Sequence, residues 1–339
     1  MKLSALLALA AFTISAAAQN PASPNEQARF LGGMTLPGST LAPYATGSAW
    51  SAHAQDLHDS WLKMERRQLI NARAWARAKM PDAAGSSAAV FYFFSGPDFL
   101  YPQTFFPNAR AYILCGIEPV GAVPQIESIP PETLAGELAG LRESLHTMVQ
   151  THYFITKDMR AQLARAHLGG TLPVLYVFLA RTGCTIRGVK TTGNSAEIAF
   201  TGPGGQKQTL YYFKTDLSNG GGNASFLNFC RQFAPAHSLV KSASYLMHGE
   251  SFSTARDFLL QNSRLILQDD SGIPLKSFDP ARWDVWLYGS YFPMKDIFAK
   301  HHQPDLAAAY ARSGGGDLGF AFGYHWQKER ALLMLARPK

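Results

Sequence analysis

Two short turns carry the residues with the most chemical potential in this sequence. Ser95-Gly96-Pro97-Asp98 follows the apolar run Ala88 to Phe94, and His248-Gly249-Glu250-Ser251 follows Tyr245-Leu246-Met247. A hydroxyl, an imidazole and a carboxylate are the nucleophile, base and orienting acid that acyl transfer requires. Ser95, His248 and an acid from Asp98 or Glu250 would have to converge for that chemistry. Neither turn is a G-x-S-x-G nucleophile elbow. Gly, Pro, Asp and Ser are also the ordinary residues of turns, and that plainer role is the stronger reading of both.

Other candidates are weaker still. The histidine pairs His53/His58 and His146/His152 miss the i, i+4 spacing of a helical metal face, and no H-E-x-x-H occurs. Gly220-Gly221-Gly222 lacks the Lys-Ser/Thr of a phosphate loop and reads as a linker. The carboxylate pair Asp269-Asp270 could serve a glycosidase or bind calcium, but Asp269-Asp270-Ser271-Gly272, which sits before Pro274, reads more simply as a turn. The sequence therefore calls for no cofactor and no metal.

The two turns belong to a pattern of internal similarity. With Gly96 set on Gly249, Phe99 falls on Phe252 and Phe105 on Phe258; one inserted residue later Arg110 falls on Arg264. Tyr153-Phe154-x-x-Lys157-Asp158 recurs as Tyr291-Phe292-x-x-Lys295-Asp296, and Gly169-Gly170 with its apolar run recurs as Gly315-Gly316. Three blocks in one order lead us to expect one unit used twice: residues 48–180 and 221–339, separated by an insert over 181–220. Sites often form where two such copies meet.

The elements that would position these residues follow from periodicity. Trp50, Ala54, Leu57, Trp61 and Met64 alternate at four and three, which predicts one face of a helix over Ser48 to Met80, stopped at Pro81. Leu134, Leu138, Leu141 and Leu145 predict a second helix after Pro130-Pro131. Thr156 can cap a helix that begins at Lys157. Strands are expected over Ala88–Phe94, Ala111–Cys115 and Pro173–Ala180. Thr185–Lys190, Ala196–Thr201 and Gln208–Lys214, separated by turn residues, read as a β-hairpin or meander. Further strands are expected near Ser244, and over Arg264–Gln268, Val285–Tyr288, Leu318–Tyr324 and Ala331–Ala336, with helices at Thr254–Asn262 and Pro304–Ala311 between them. Strands alternating with helices predict an α/β or α+β fold, a mixed sheet covered by helices. Residues 19–47, rich in Pro, Gly, Ser and Thr, read as an irregular leader.

Composition places the chain. Lys2, the apolar run Leu3 to Ile14 and Ala16-Ala17-Ala18 form a secretory signal over residues 1–18, with cleavage near Ala18. The expected destination is the periplasm or the exterior. A hydrophobic fraction of 47 % is ample for a large core, and no stretch predicts a membrane span. The formal charge of +7 is scattered, its densest group being Arg66, Arg67, Arg73, Arg77 and Lys79. No basic motif interleaved with aromatics points to nucleic acid. Cys115, Cys184 and Cys230 allow at most one bridge; Cys115 and Cys230 are expected buried and reduced, Cys184 the most exposed. The leading expectation is an exported, non-catalytic protein that binds a ligand or envelope component. The alternative is a secreted hydrolase built on Ser95, Asp98, His248 and Glu250.

Overall fold

The computed structural model describes residues 21–154, 163–313, 315, 316, 318–325 and 327–339. The expected signal segment and the expected helix at Lys157-Asp158 lie outside the described residues. The chain enters with α1 (Pro24–Leu31), inside the stretch expected to be irregular. Its cause is local. The Ser23 hydroxyl accepts from Glu26 N, the Glu26 carboxylate accepts from Ser23 N at 2.9 Å, and Pro24 pre-sets the first turn.

Next come α2 (Ser48–Met64), a π-turn over Glu65–Leu69, α3 (Ile70–Lys79) and α4 (Pro81–Gly85). They are followed by β1 (Val90–Tyr92), α5 (Leu100–Phe105), β2 (Ala111–Gly116), α6 (Pro131–Thr151) and α7 (Leu172–Arg181). Three strands, β3 (Thr185–Thr191), β4 (Ser195–Thr201) and β5 (Lys207–Lys214), lead to α8 (Ala224–Arg231) and β6 (Ala236–Val240). The chain closes with α9 (Ser253–Asn262), β7 (Ser263–Gln268), β8 (Trp283–Gly289), α10 (Pro304–Ser313) and β9 (Leu332–Pro338).

The nine strands of the described residues join one mixed sheet in the order β3-β4-β5-β2-β1-β6-β7-β9-β8. The fold is α/β in character, as expected. Segments 48–180, 181–220 and 221–339 all contribute strands to this sheet. The central five, β5-β2-β1-β6-β7, are parallel; β4 and β9 run against their neighbours and form the antiparallel flanks. The chain moves outward from β1 to β2 to β5, then returns to place β6 on the other side of β1. The strand order therefore reverses between β1 and β6. Alternation splits the core: Val90 and Tyr92 face one layer, Phe91 and Phe93 the other. α5 packs on the first face and α9 on the second.

Three strand expectations are corrected. Pro173–Ala180 belongs to helix α7, buried on every side between α1, α6 and β3; a continuous apolar run has no period to distinguish a buried helix from a buried strand. The strand expected near Ser244 ends at Val240. Residues 318–324 form no strand, only an isolated bridge between Phe322 and His325. Cys184 is buried like Cys115 and Cys230, and all three thiols are free. Burial pushes the Cys115 thiol up to about 12 and Cys184 up to about 11. No helix among the described residues is long and apolar enough to cross a membrane.

Candidate functional site

In open parallel sheets a crevice forms beyond the carboxyl ends of the strands where strand order reverses, because successive connections leave toward opposite faces there. A pocket of about 650 Å³ lies at that place in this sheet, lined by residues that follow β1, β2, β5 and β6. Its floor is an ion pair. Lys241 Nζ lies 3.2 Å from Asp98 Oδ2, and both side chains are almost wholly buried. Asp98 also accepts from Tyr92 OH at 2.8 Å and from Tyr101 N at 3.3 Å. Lys241 donates to the carbonyl of His152 at 2.6 Å and sits 4.3 Å above the Tyr101 ring. Each charge thus has several partners in place of water. Burial first, and the Asp98 charge second, push the Tyr92 and Tyr101 phenols well above their ordinary range.

The backbone around this floor is unusual. Among the described residues five non-glycines adopt positive φ: Phe94 (59°), His152 (69°), Ser242 (55°), Ser244 (52°) and Tyr245 (56°). Phe94, Ser242 and Ser244 line the pocket, His152 supplies the carbonyl that Lys241 holds, and Tyr245 follows directly on Ser244. Left-handed conformations of this kind cost about 1–3 kcal/mol each and persist where the surroundings impose them. After β6 the clamps are explicit. Ser242 N donates to Asp269 Oδ2 at 3.1 Å, Ala243 N to Ser271 Oγ at 2.8 Å, and Tyr324 OH donates to Ser242 O at 2.9 Å. Ser242 Oγ, by contrast, is shielded from water and has no hydrogen-bond partner among the described residues. Two glycines make room for carboxylates: a Cβ on Gly116 would lie 2.2 Å from Glu118 Oε2, and one on Gly323 (φ +66°) 1.8 Å from Asp269 Oδ2.

Above the floor the walls are aromatic. Phe94 meets Phe252 edge-on at 5.8 Å, and Tyr324 stands 5.0 Å from Phe298 and 4.9 Å from Tyr153. Ile117 and Ile297, 47 % and 77 % exposed, line the pocket from its solvent side. Behind the wall lies a buried acidic pair. Asp269 also accepts from Ser271 Oγ at 2.6 Å, and Asp270 accepts from Tyr245 OH at 2.9 Å. Burial, then the neighbouring Asp270 charge, push Asp269 up to about 6.

The four residues singled out by sequence fall in three places. Ser95 and Asp98 line the pocket. The Ser95 hydroxyl donates to the carbonyls of Gly96 (2.9 Å) and Cys115 (3.3 Å). His248 Nε2 pairs with the carbonyl of Asp270 at 3.2 Å, and burial, followed by His301, lowers its pKa to about 4. Glu250 is exposed and pairs with Arg256 at 3.3 Å. The hydrogen bonds of Ser95 and His248 therefore run to separate backbone carbonyls. Lys241 and Ser242 escape the sequence reading, and Asp269 is read there only as a turn residue. A lysine and a serine directly after the apolar strand Ala236–Val240 were the available signal, hidden because that strand was placed too late. Among the described residues no group of three or more His, Cys, Asp or Glu is arranged to hold a metal ion. Comparison with known proteins gives no match among family models, curated proteins or solved structures.

Proposed function

We propose that this chain is a binding protein for a small, largely apolar molecule with an uncharged polar end, held in the pocket between β1 and β6. The observation that carries this reading is the cavity of about 650 Å³ at the reversal of strand order. Its size suits a single small ligand, for which pockets span about 300–1,000 Å³. The chemistry follows from what the walls leave open. Lys241 is neutralised by Asp98, so the floor favours neither a free anion nor a free cation there. Phe94, Phe252, Phe298 and Tyr324 offer apolar faces, and the unpaired Ser242 hydroxyl, covered where it stands, supplies one hydrogen bond once its side chain turns into the pocket. The expected signal segment supports a place of action in the cell envelope or outside it.

The test is calorimetric titration of a panel of neutral amphipathic compounds against the protein and two variants. Thr215→Trp places an indole in the pocket and should weaken every true ligand at least tenfold. Ser242→Ala should weaken ligands that carry a hydroxyl or carbonyl by about 1 kcal/mol, the worth of one neutral hydrogen bond, and leave pure hydrocarbons unchanged. Compounds that bind wild type and Thr215→Trp equally would place the site elsewhere and overturn the reading.

A further inference from the structure

A second surface, on the far end of the chain's first long helix, is independent of the pocket. α2, the π-turn and α3 form one unbroken helical rod from Ser48 to Lys79. The π-turn fits one extra residue into the rod. It keeps Met64 and Leu69, five residues apart, both on the core, together with Gln68. Arg66 and Arg67, between them, are turned to solvent. Leu62 and Ile70 beside them are 36 % and 48 % exposed, and Lys63 is exposed as well.

From Arg66 to Lys79 the rod carries Arg66, Arg67, Arg73, Arg77 and Lys79 and no acidic residue. Of the nearby carboxylates, Glu65 pairs with Arg73; Asp59, which accepts from Gln55 at 2.9 Å, and Glu329, in the same cleft as Arg66 and Arg67, leave the basic residues of this face in excess. Lys63, Arg66, Arg67 and Arg77 enter no ion pair among the described residues. Uncommitted guanidinium groups bind phosphate oxygens with two parallel hydrogen bonds. Exposed aliphatic side chains interleaved with them add a component that only an interface with acyl chains satisfies.

We propose that this face, centred on Leu62, Lys63, Arg66, Arg67 and Ile70, docks on an anionic phospholipid surface. A soluble polyanion would satisfy the arginines but would have no use for Leu62 and Ile70, and that decides for lipid. The docking is peripheral, with the rod lying in the plane of the headgroups.

The experiment is co-sedimentation of the purified protein with vesicles of phosphatidylcholine alone and of an equal mixture with phosphatidylglycerol. Binding is expected only to the mixture and should fall as salt rises. Arg66→Gln with Arg67→Gln should lower the partition coefficient about thirtyfold, which corresponds to about 1 kcal/mol for each basic residue at an anionic surface. Leu62→Ser with Ile70→Ser should weaken binding several-fold and leave its salt dependence unchanged. Lys190→Gln with Lys207→Gln, on strands β3 and β5, should change binding little. All these positions are exposed, so thermal melts should match wild type. Equal binding to both vesicles, equal loss in the control pair, or complete displacement by dextran sulfate with no effect of the Leu62/Ile70 variant would each overturn the proposal.

Discussion

β1-α5-β2 and β6-α9-β7 are the same strand–helix–parallel-strand unit on opposite faces of one sheet, and they meet at the pocket. Their strand ends are built differently. After β1 the chain turns through Phe94 and Gly96, both at positive φ, and Asp98 is held by Tyr92 and Tyr101 of its own unit. After β6 the chain turns through Ser242, Ser244 and Tyr245, none of them glycine, and the clamps come from elsewhere: Asp269 and Ser271 beyond β7, Tyr324 near the C-terminus. The first turn braces itself, whereas the second is imposed by its neighbours. The Asp98–Lys241 pair joins the two. An externally imposed turn that keeps an unsatisfied hydroxyl beside a cavity suits a binding loop, and in the proposed binding function the β6 side is the recognition side.

Breaking the joint should have the largest effect. Removing one partner of a buried ion pair leaves an uncompensated charge, at a cost of about 3–5 kcal/mol. Lys241→Ala and Asp98→Ala should each lose about that much in urea denaturation. Asp98→Asn combined with Lys241→Met should recover a large part of the loss, because no bare charge remains. A double variant no better than the worse single one would show that the pair is held for reasons other than its charges.

What could be read from the sequence divides along the same line. Parts of the βαβ units are legible, since Ala111–Cys115, Thr254–Asn262 and Arg264–Gln268 fall on β2, α9 and β7, but the strand expected near Ser244 misses β6. Asp98 and Ser95 were found because a turn residue next to an apolar strand is a local signal. Lys241 was not, because its role depends on Asp98, far away in sequence, and on an exact strand end that periodicity does not give. The Asp269–Asp270 turn was recognised as a turn, but its function is to hold Ser242, a contact across two strands with no local signature. The capping box at Ser23 and Glu26 was a legible signal, outweighed by the Pro and Gly content around it.

The external clamp predicts a pH dependence. Burial, the first cause, raises the Asp269 pKa to about 6 in the folded protein from an ordinary carboxyl value of 3.8. A carboxyl raised on folding favours the folded state when protonated, so its stabilising contribution is complete below about pH 4 and is lost as pH rises toward 6. Asp269→Asn removes this slope. Urea midpoints measured from pH 4 to pH 7 should show wild type losing ground to the variant across that window, and β1-side variants such as Ser95→Ala should follow wild type. Parallel curves for wild type and Asp269→Asn would show that folding changes no proton on Asp269 in this range and that the clamp is not proton-linked.

The smallest and sharpest comparison exchanges the residue choice of the two turns. Gly96 (φ 53°) and Ser242 (φ 55°) share a left-handed backbone, one with the residue that tolerates it and one without. An L-residue in this region costs roughly 1–2 kcal/mol relative to glycine, partly offset by the greater freedom of glycine in the unfolded chain. Gly96→Ala should therefore destabilise by about 1 kcal/mol; a Cβ there would meet Glu118 at 3.5 Å, an ordinary contact, so only the backbone conformation is at stake. Ser242→Gly should stabilise by somewhat under 1 kcal/mol, because strain is relieved and no side-chain hydrogen bond is lost. It should also weaken any ligand that uses the Ser242 hydroxyl. A stability gain paired with an affinity loss at this one position is the signature of a turn strained to serve a site. If Ser242→Gly instead lowers stability as much as Gly96→Ala does, the clamps from Asp269 and Tyr324 already absorb the strain, and the β6 turn is a structural corner like its counterpart.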